Sequence, residues 1–266
     1  MKQNHFLFLW AYMITIISFF LSSCYPGSAI PDPYYVDEAR QKENIYYVPS
    51  APNTPLLTEK GDLSFSAMRA SGSKFTGAEI QAGSLPWKHI GIIGSYSNGG
   101  NNSGEPNYMK YNRFEIGSGY VTKFAQGWHF ETYAGLGSGK ISNSHYTGFS
   151  RINLNHFFLQ PAIAISDKKQ TVQFAISSRV SGVNFKVRDT LFNTDRESFS
   201  HNQIKNLYEE PFHLMWEPAL TFRAGWKNFL FNAQYSFSAD LTNPDLYREK
   251  NNFSIGVSLR YNTKEK

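Results

Sequence analysis

From about residue 62 onward the chain alternates between apolar and polar positions. Phe253, Ile255, Val257, Leu259 and Tyr261 interleave with Ser254, Gly256, Ser258 and Arg260, so an extended segment there carries one wholly apolar face and one polar or small face. Phe229, Phe231, Ala233, Tyr235 and Phe237 repeat the pattern against Asn232, Gln234, Ser236 and Ser238. Leu214, Trp216, Leu220, Phe222 and Ala224 do so against His213, Glu217, Thr221 and Arg223. The period of two predicts about ten antiparallel strands, near 62–70, 75–84, 87–97, 111–123, 127–138, 151–166, 170–186, 211–225, 228–239 and 252–262. No helix-length amphipathic pattern competes with them.

One alternating strand does not separate a soluble sandwich from a barrel. Length does: 111–123, 151–166, 170–186 and 211–225 run a dozen residues or more. Globular strands cluster at about 5–6 residues, whereas a tilted strand crossing a bilayer needs about 9–11. Connections also alternate. Leu85-Pro86, Phe124 to Gln126, Asp167 to Lys169 and Trp226-Lys227 read as tight turns, and 98–110, 138–150, 187–210 and 240–251 read as long polar loops. This pattern resembles the Gram-negative outer-membrane β-barrel family, in which tight turns face the periplasm and long loops face outward. The resemblance covers residues 62–262, with eight strands as the alternative count. The aromatic row ending at Tyr261 is similar to the final strand by which such barrels are recognised, although the polar tail 263–266 follows it. Pro161 and Pro218 each remove a ladder donor, and bulges are expected beside both.

The first 61 residues are of a different kind. Met1 to His5 is short and basic, Phe6 to Leu21 is nearly unbroken apolar, and Ser22-Ser23 ends the run. Leu21-Ser22-Ser23-Cys24 resembles the lipobox of bacterial lipoproteins. That resemblance implies cleavage of 1–23 and a diacylglyceryl and N-acyl anchor, palmitate among its chains, on Cys24. From Tyr25 to Gly61 the chain holds six of the twelve prolines and has no period. It is expected to be an extended tether, 24–61, reaching the first strand from the tight-turn side.

Composition narrows the chemistry. Of 266 residues, removal of 23 leaves 243, enough for one β-domain and its tether. Cys24 is the only cysteine, so no disulfide forms within the chain. The net charge of +5 is dispersed, which argues against a nucleic-acid partner. An aromatic share of 16% must be buried or placed at membrane interfaces. Ala134 to Lys140 lacks the first glycine, the Ser or Thr and the helix of a phosphate loop. The histidines show no ligand spacing, and neither a metal nor a cofactor is expected.

If the apolar rows face lipid, Glu79, Arg113, Glu115, Glu131, Arg179, Glu217, Arg223 and Arg260 project inward as a lumen charge network. The expected protein is a non-enzymatic, lipid-anchored outer-membrane barrel. It would act as a structural or partner-binding component or as a narrow channel, with membrane lipid and another outer-membrane protein as its partners. The alternatives are a soluble lipid-anchored barrel binding a small apolar ligand, and a barrel-embedded lipid hydrolase using His156 with Ser177, or His213 with Glu217.

Overall fold

The computed structural model describes residues 44–102, 108–145, 148–192, 199–226 and 228–262, all within one unit spanning 37–266. The leader, Cys24, the start of the tether and the tail 263–266 lie outside the described residues. The strands are β1 (Asp62–Ser71), β2 (Thr76–Trp87), β3 (Ile90–Asn102), β4 (Tyr108–Ala125), β5 (Trp128–His145), β6 (Gly148–Ser166) and β7 (Val172–Phe192). A helix, α1 (Phe199–Glu209), precedes β8 (Phe212–Gly225), β9 (Phe229–Phe237), β10 (Ala239–Asp240) and β11 (Asn251–Asn262).

Among the described residues, ten strands close into an antiparallel barrel. Each of β1 to β8 pairs with the next in sequence, β8 pairs with β9, β9 with β11, and β11 with β1 from Asp62↔Asn262 to Ser71↔Phe253. β10 is the eleventh strand. It continues the β9 register along β8, since Ser236 faces Ala219 and Ala239 faces Trp216, across a break at Pro218.

The bulges expected at the two prolines are absent. Pro161 pairs in register with Thr132, and Pro218 with Ser178. Each instead interrupts the ladder on its other side, between Leu159 and Ala162 along β7 and between Trp216 and Ala219 along β9 and β10. A missing N–H removes one hydrogen bond without forcing an extra residue into the strand. Register shifts occur elsewhere, at Ser84/Trp87, Lys123/Ala125 and Arg151/Ile152.

The two faces of the wall are inverted relative to a soluble protein. Phe65, Phe114, Leu136, Phe157, Ile176, Phe231 and Ile255 are exposed, while Ser66, Gln81, Glu115, Gln160, Arg179 and Asn232 are buried. Along β6 the outward residues Phe157, Leu159, Pro161, Ile163 and Ile165 form an apolar run nine residues long, from 157 to 165. That is the span a tilted membrane strand needs. Trp87, Phe124, Trp128, Trp226 and Tyr261 stand exposed around the tight-turn end, here called the lower rim, as an aromatic girdle. No helix among the described residues is long and apolar enough to cross a membrane.

Toward the opposite, upper rim the polarity switches. Outward positions become Ser138, Lys140, Arg151, Asn153, Asn155, Asn184 and Lys186, and inward ones become Tyr111, Ile141, Ile152, Leu154, Val183 and Phe185. Strands of 18 to 21 residues, β4 to β7, thus continue beyond the apolar belt as an ordinary water-facing sheet with a hydrophobic core. This corrects the loops expected at 98–110 and 138–150, most of which is strand. Asn98, Lys110, Ser138 and Lys140 belong to outward faces above the belt, while Asn143 and Ser150 point inward. The helix α1 lies within the loop expected at 187–210, and among its described side chains Ile204 and Leu207 are the buried apolar ones.

Candidate functional site: a lumen occupied by the protein's own segment

The lumen is filled by residues 44–57, which have no regular secondary structure and of which every residue is buried. The tether expected to lie outside the domain therefore runs through its centre over this stretch. Ile45 bonds Asn143 in both directions, its N–H donating to Oδ1 at 3.3 Å and its carbonyl accepting from Nδ2 at 3.1 Å, near the upper end of β5. At the other end the Gln170 amide donates to Thr58 Oγ1 at 3.2 Å in the lower turn between β6 and β7. Residues 58–61 then turn back into β1, with Gly61 N donating to Leu85 O at 2.8 Å.

Inward-facing side chains from around the barrel recognise this segment through its carbonyls. Asn252 donates to Pro49 O at 3.0 Å, Gln81 to Ala51 O at 2.9 Å, Gln234 to Pro52 O at 2.6 Å and Gln160 to Asn53 O at 2.9 Å. Arg223 spans Thr54 O at 2.8 Å and Pro55 O at 3.2 Å, and Arg113 donates to Val48 O. Pro49, Pro52 and Pro55 bring carbonyls but no N–H groups, so a lumen rich in donors suits the segment. Of its N–H groups, Ala51 donates to Glu79 Oε1 at 3.2 Å and Leu56 bonds the Glu131 carboxylate. Glycine makes the room: a Cβ at inward-facing Gly83 would lie 2.5 Å from the Pro55 ring, and one at Gly137 would lie 2.3 Å from the His156 ring. Leu56 takes a left-handed φ of 54°. There Leu56 packs against Ala164 and Ala175, while Leu57 packs among Leu85, Val121, Tyr133 and Phe158.

The eight charged residues are all inward, but they form separate groups instead of one network. Glu115 is the centre of the first. Its carboxylate takes Arg179 Nη1 at 3.0 and 3.1 Å, His156 Nε2 at 2.9 Å, Ser50 Oγ at 3.2 Å and Ser95 Oγ at 3.0 Å. Arg113 lies 3.8 Å from it and stacks over the Tyr47 ring, and Arg179 stacks over Phe158. Glu217 accepts from the Tyr47 hydroxyl at 2.9 Å. Glu79 sits apart, held by Asn252 at 2.7 Å and Ser254 at 3.3 Å. Glu131 and Arg223 lie lower, both against the segment. Arg260 closes the lower rim on Asp62 at 2.9 Å.

At the upper rim α1 and residues 239–250 clamp the entering chain. Tyr46 N donates to Tyr247 O and Glu249 N to Tyr47 O, each at 2.9 Å, and Gln203 on α1 both donates to Asp245 O and accepts from Tyr247 N. The lower turn is fixed by Asp167. Partial burial alone would raise its carboxyl. The N–H groups of Val172, Thr171 and Lys169 and the Thr171 hydroxyl nevertheless hold it below the usual carboxylate range.

The hydrolase pairings do not assemble. His156 binds Glu115, and it faces Val183 across the ladder, six positions along β7 from Ser177. His213 Nδ1 donates to Asp240 at 2.6 Å, while Glu217 belongs to Tyr47. His129 does meet the Ser166 hydroxyl at 2.8 Å, but its Nδ1 has no hydrogen-bond partner that would orient the ring as in a triad. Among the described residues no group of three His, Cys, Asp or Glu side chains could hold a metal ion. Sequence reasoning singled out the charges and missed Gln81, Gln160, Gln234 and Asn252. The available signal was an amide-rich inward row set beside prolines repeating every third residue, from Pro49 to Pro55, a spacing suited to extended chain.

Fold and lumen together define a closed ten-stranded barrel of outer-membrane type, plugged by a segment of its own chain. No protein-family model and no curated protein matches the sequence. Solved structures similar to it include the β domain of the Bordetella autotransporter Brka, at 11% identity over 76% of this chain and 98% of that one, with a TM-score of 0.41. The attachment invasion locus protein Ail of Yersinia pestis has 14% identity over 76% and 100%, with a TM-score of 0.33. The KdgM porin has 9% identity over 74% and 98%, with a TM-score of 0.34.

Proposed function

We propose that the protein is a non-conducting, non-enzymatic barrel of the outer membrane, anchored in addition by a lipid on Cys24, that presents its upper rim to a protein partner. The observation that carries this reading is the set of seven carbonyls, from Val48 to Pro55, bonded by inward side chains of β2, β4, β6, β8, β9 and β11. A lumen so engaged supports the non-conducting reading. Its ions serve the plug. The exposed apolar belt and its aromatic girdle support the membrane placement. The rigid upper sheet with α1 is the element left to recognise a partner, and such a surface needs no chemistry of its own.

Planar bilayers test the reading. The intact protein gives no steady single-channel steps. A variant lacking residues 45–55, accepted only if it still shows heat-modifiable migration, gives them. Steady steps from the intact protein would favour the narrow-channel reading in its place.

A further inference from the structure

On the outer face of β4 to β7 the cross-strand rows change chemistry with height. Ile116, Leu136, Phe157 and Gly182 pair in register as the last apolar row, and Gly182 lets the Phe157 ring lie over it, since a Cβ there would stand 2.4 Å from that ring. The next row up, Phe114, Ser138, Asn155 and Asn184, brings exposed hydroxyl and amide groups. Above it come Asn112, Lys140, Asn153 and Lys186, then Lys110, Ser142, Arg151 and Asp189. Each of the four strands thus brings one exposed cation to these two rows, alternating with neutral side chains. Lys140 and Lys186 lie two strand spacings, about 10 Å, apart. Asp189 is the one acid among the residues of these rows. It meets Arg151 at 3.4 Å, an exposed pair that holds the guanidinium weakly. Neither Lys140 nor Lys186 has an ion-pair partner among the described residues.

We infer that this face is the docking site of a phosphorylated glycolipid of the outer leaflet. Acyl chains lie on the apolar row and in the groove between Phe114, Leu136, Phe157 and Phe212. Sugar hydroxyls meet Ser138, Asn155 and Asn184, and phosphates meet Lys140, Lys186, Lys110 and Arg151. Acyl, hydroxyl and phosphate follow one another in the order in which the rows leave the belt. The site is also one-sided. The same two rows continue through β3, β2 and β1 as Asn98, Ala78 and Arg69 and as Gly100, Thr76 and Ser71, with Arg69 the one cation. General attraction to an anionic surface would require neither that asymmetry nor an amide row between the apolar and basic ones. This rests on the outer-membrane barrel reading above, in which the tight turns face the periplasm and the upper sheet faces outward.

Native mass spectrometry of the full-length protein, folded in neutral detergent micelles and checked for heat-modifiable migration, counts the lipids it holds. The probes are bisphosphorylated lipid A, the same lipid with both phosphates removed, phosphatidylglycerol and inorganic phosphate. The expected result is saturable binding of the first and no comparable binding of the other three. A cation at a membrane surface contributes roughly fivefold, so Lys140→Gln with Lys186→Gln should weaken the binding roughly 25-fold. Lys88→Gln with Lys168→Gln, both exposed in lower turns, should leave it unchanged. Equal weakening by the two pairs means attraction to net charge and overturns the site. Equal binding of the dephosphorylated lipid or of phosphatidylglycerol overturns the headgroup assignment, and displacement of the lipid by equimolar inorganic phosphate overturns the lipid itself. No lipid binding by a protein that migrates as a folded barrel refutes the docking site alone. Loss of heat-modifiable migration in the parent protein refutes the barrel reading, and the inference with it.

Discussion

Replacing Glu115 by Leu should damage this barrel more than any loss of packing can explain. The carboxylate is 3% exposed, and Arg179, His156, Ser50 and Ser95 all converge on it within 3.2 Å. Leucine has nearly the same volume, so the cavity term is small. What remains is a guanidinium, that of Arg179, which is wholly buried and keeps only the Ser50 hydroxyl and the Gln160 carbonyl oxygen as acceptors. Removing one partner of a buried ion pair typically costs about 3–5 kcal/mol, because the other charge stays desolvated. The pair as a whole is worth far less, so Glu115→Leu with Arg179→Met should recover most of the loss. Arg113 remains held by Tyr47, Ser50 and the Val48 carbonyl. Urea unfolding in detergent micelles, followed by tryptophan fluorescence and by the heat-modifiable band, reads all three proteins. A single variant losing less than about 1 kcal/mol, or a double variant no better than the sum of its singles, would refute the claim that this is a desolvated pair within the plugged lumen.

Two further outcomes are expected. Arg at Phe157 should cost about 2–4 kcal/mol and block folding into bilayers, whereas Arg at Asn155, two positions up the same outward face and above the belt, should fold as the parent does. Equal damage at both positions would remove the belt boundary. Asp167 has a lowered pKa, so the order it gives the lower turn is complete above its unfolded value of about 3.9 and is lost as pH falls through the lower folded value. Amide protection of Thr171 and Val172 should fade only below about pH 4, and should be weakened at neutral pH in Asp167→Ala.

The period of two made the strands legible, because from Asn232 to Phe237 of β9 and from Phe253 to Tyr261 of β11 the inward residues are polar or glycine and the outward ones apolar. It also placed all eight charges on the inner face. What it could not show lies where that rule reverses. Above the belt Ile141 turns inward and Lys140 outward, so 138–145 reads as polar loop although it is strand. Its core, Val183 and Phe185 with Tyr47, depends on residues far apart in the chain. The plug was hidden for a related reason. An aperiodic, proline-rich stretch carries no pattern of its own, and its carbonyl partners are distributed over six strands. Counting charges drew attention to Glu131 and Arg223 and away from the neutral amides that do much of the binding.

Why such a stretch fills such a barrel follows from hydrogen-bond accounting. A ten-stranded wall with Gly83, Gly117, Gly135, Ser64, Ser66, Ser254 and Ser258 on its inner face cannot fill its own centre with side chains. A helix satisfies its own backbone but is about 10 Å across, whereas a single extended chain is thinner and exposes every backbone group to the wall. Each buried carbonyl or N–H left unmet costs about 1–3 kcal/mol. Proline at 49, 52 and 55 removes three donors in advance, so the wall needs mainly donors itself, and Asn252, Gln81, Gln234, Gln160, Arg113 and Arg223 provide them. Carboxylates are then required only where an N–H or a guanidinium remains. Glu79 stands opposite Ala51 N, Glu131 opposite Leu56 N, and Glu115 between two arginines. The inward charges are therefore placed by the backbone that runs between them. A pore lining would be under no such constraint, which is the physical ground for reading this lumen as a binding site whose ligand is the protein's own chain.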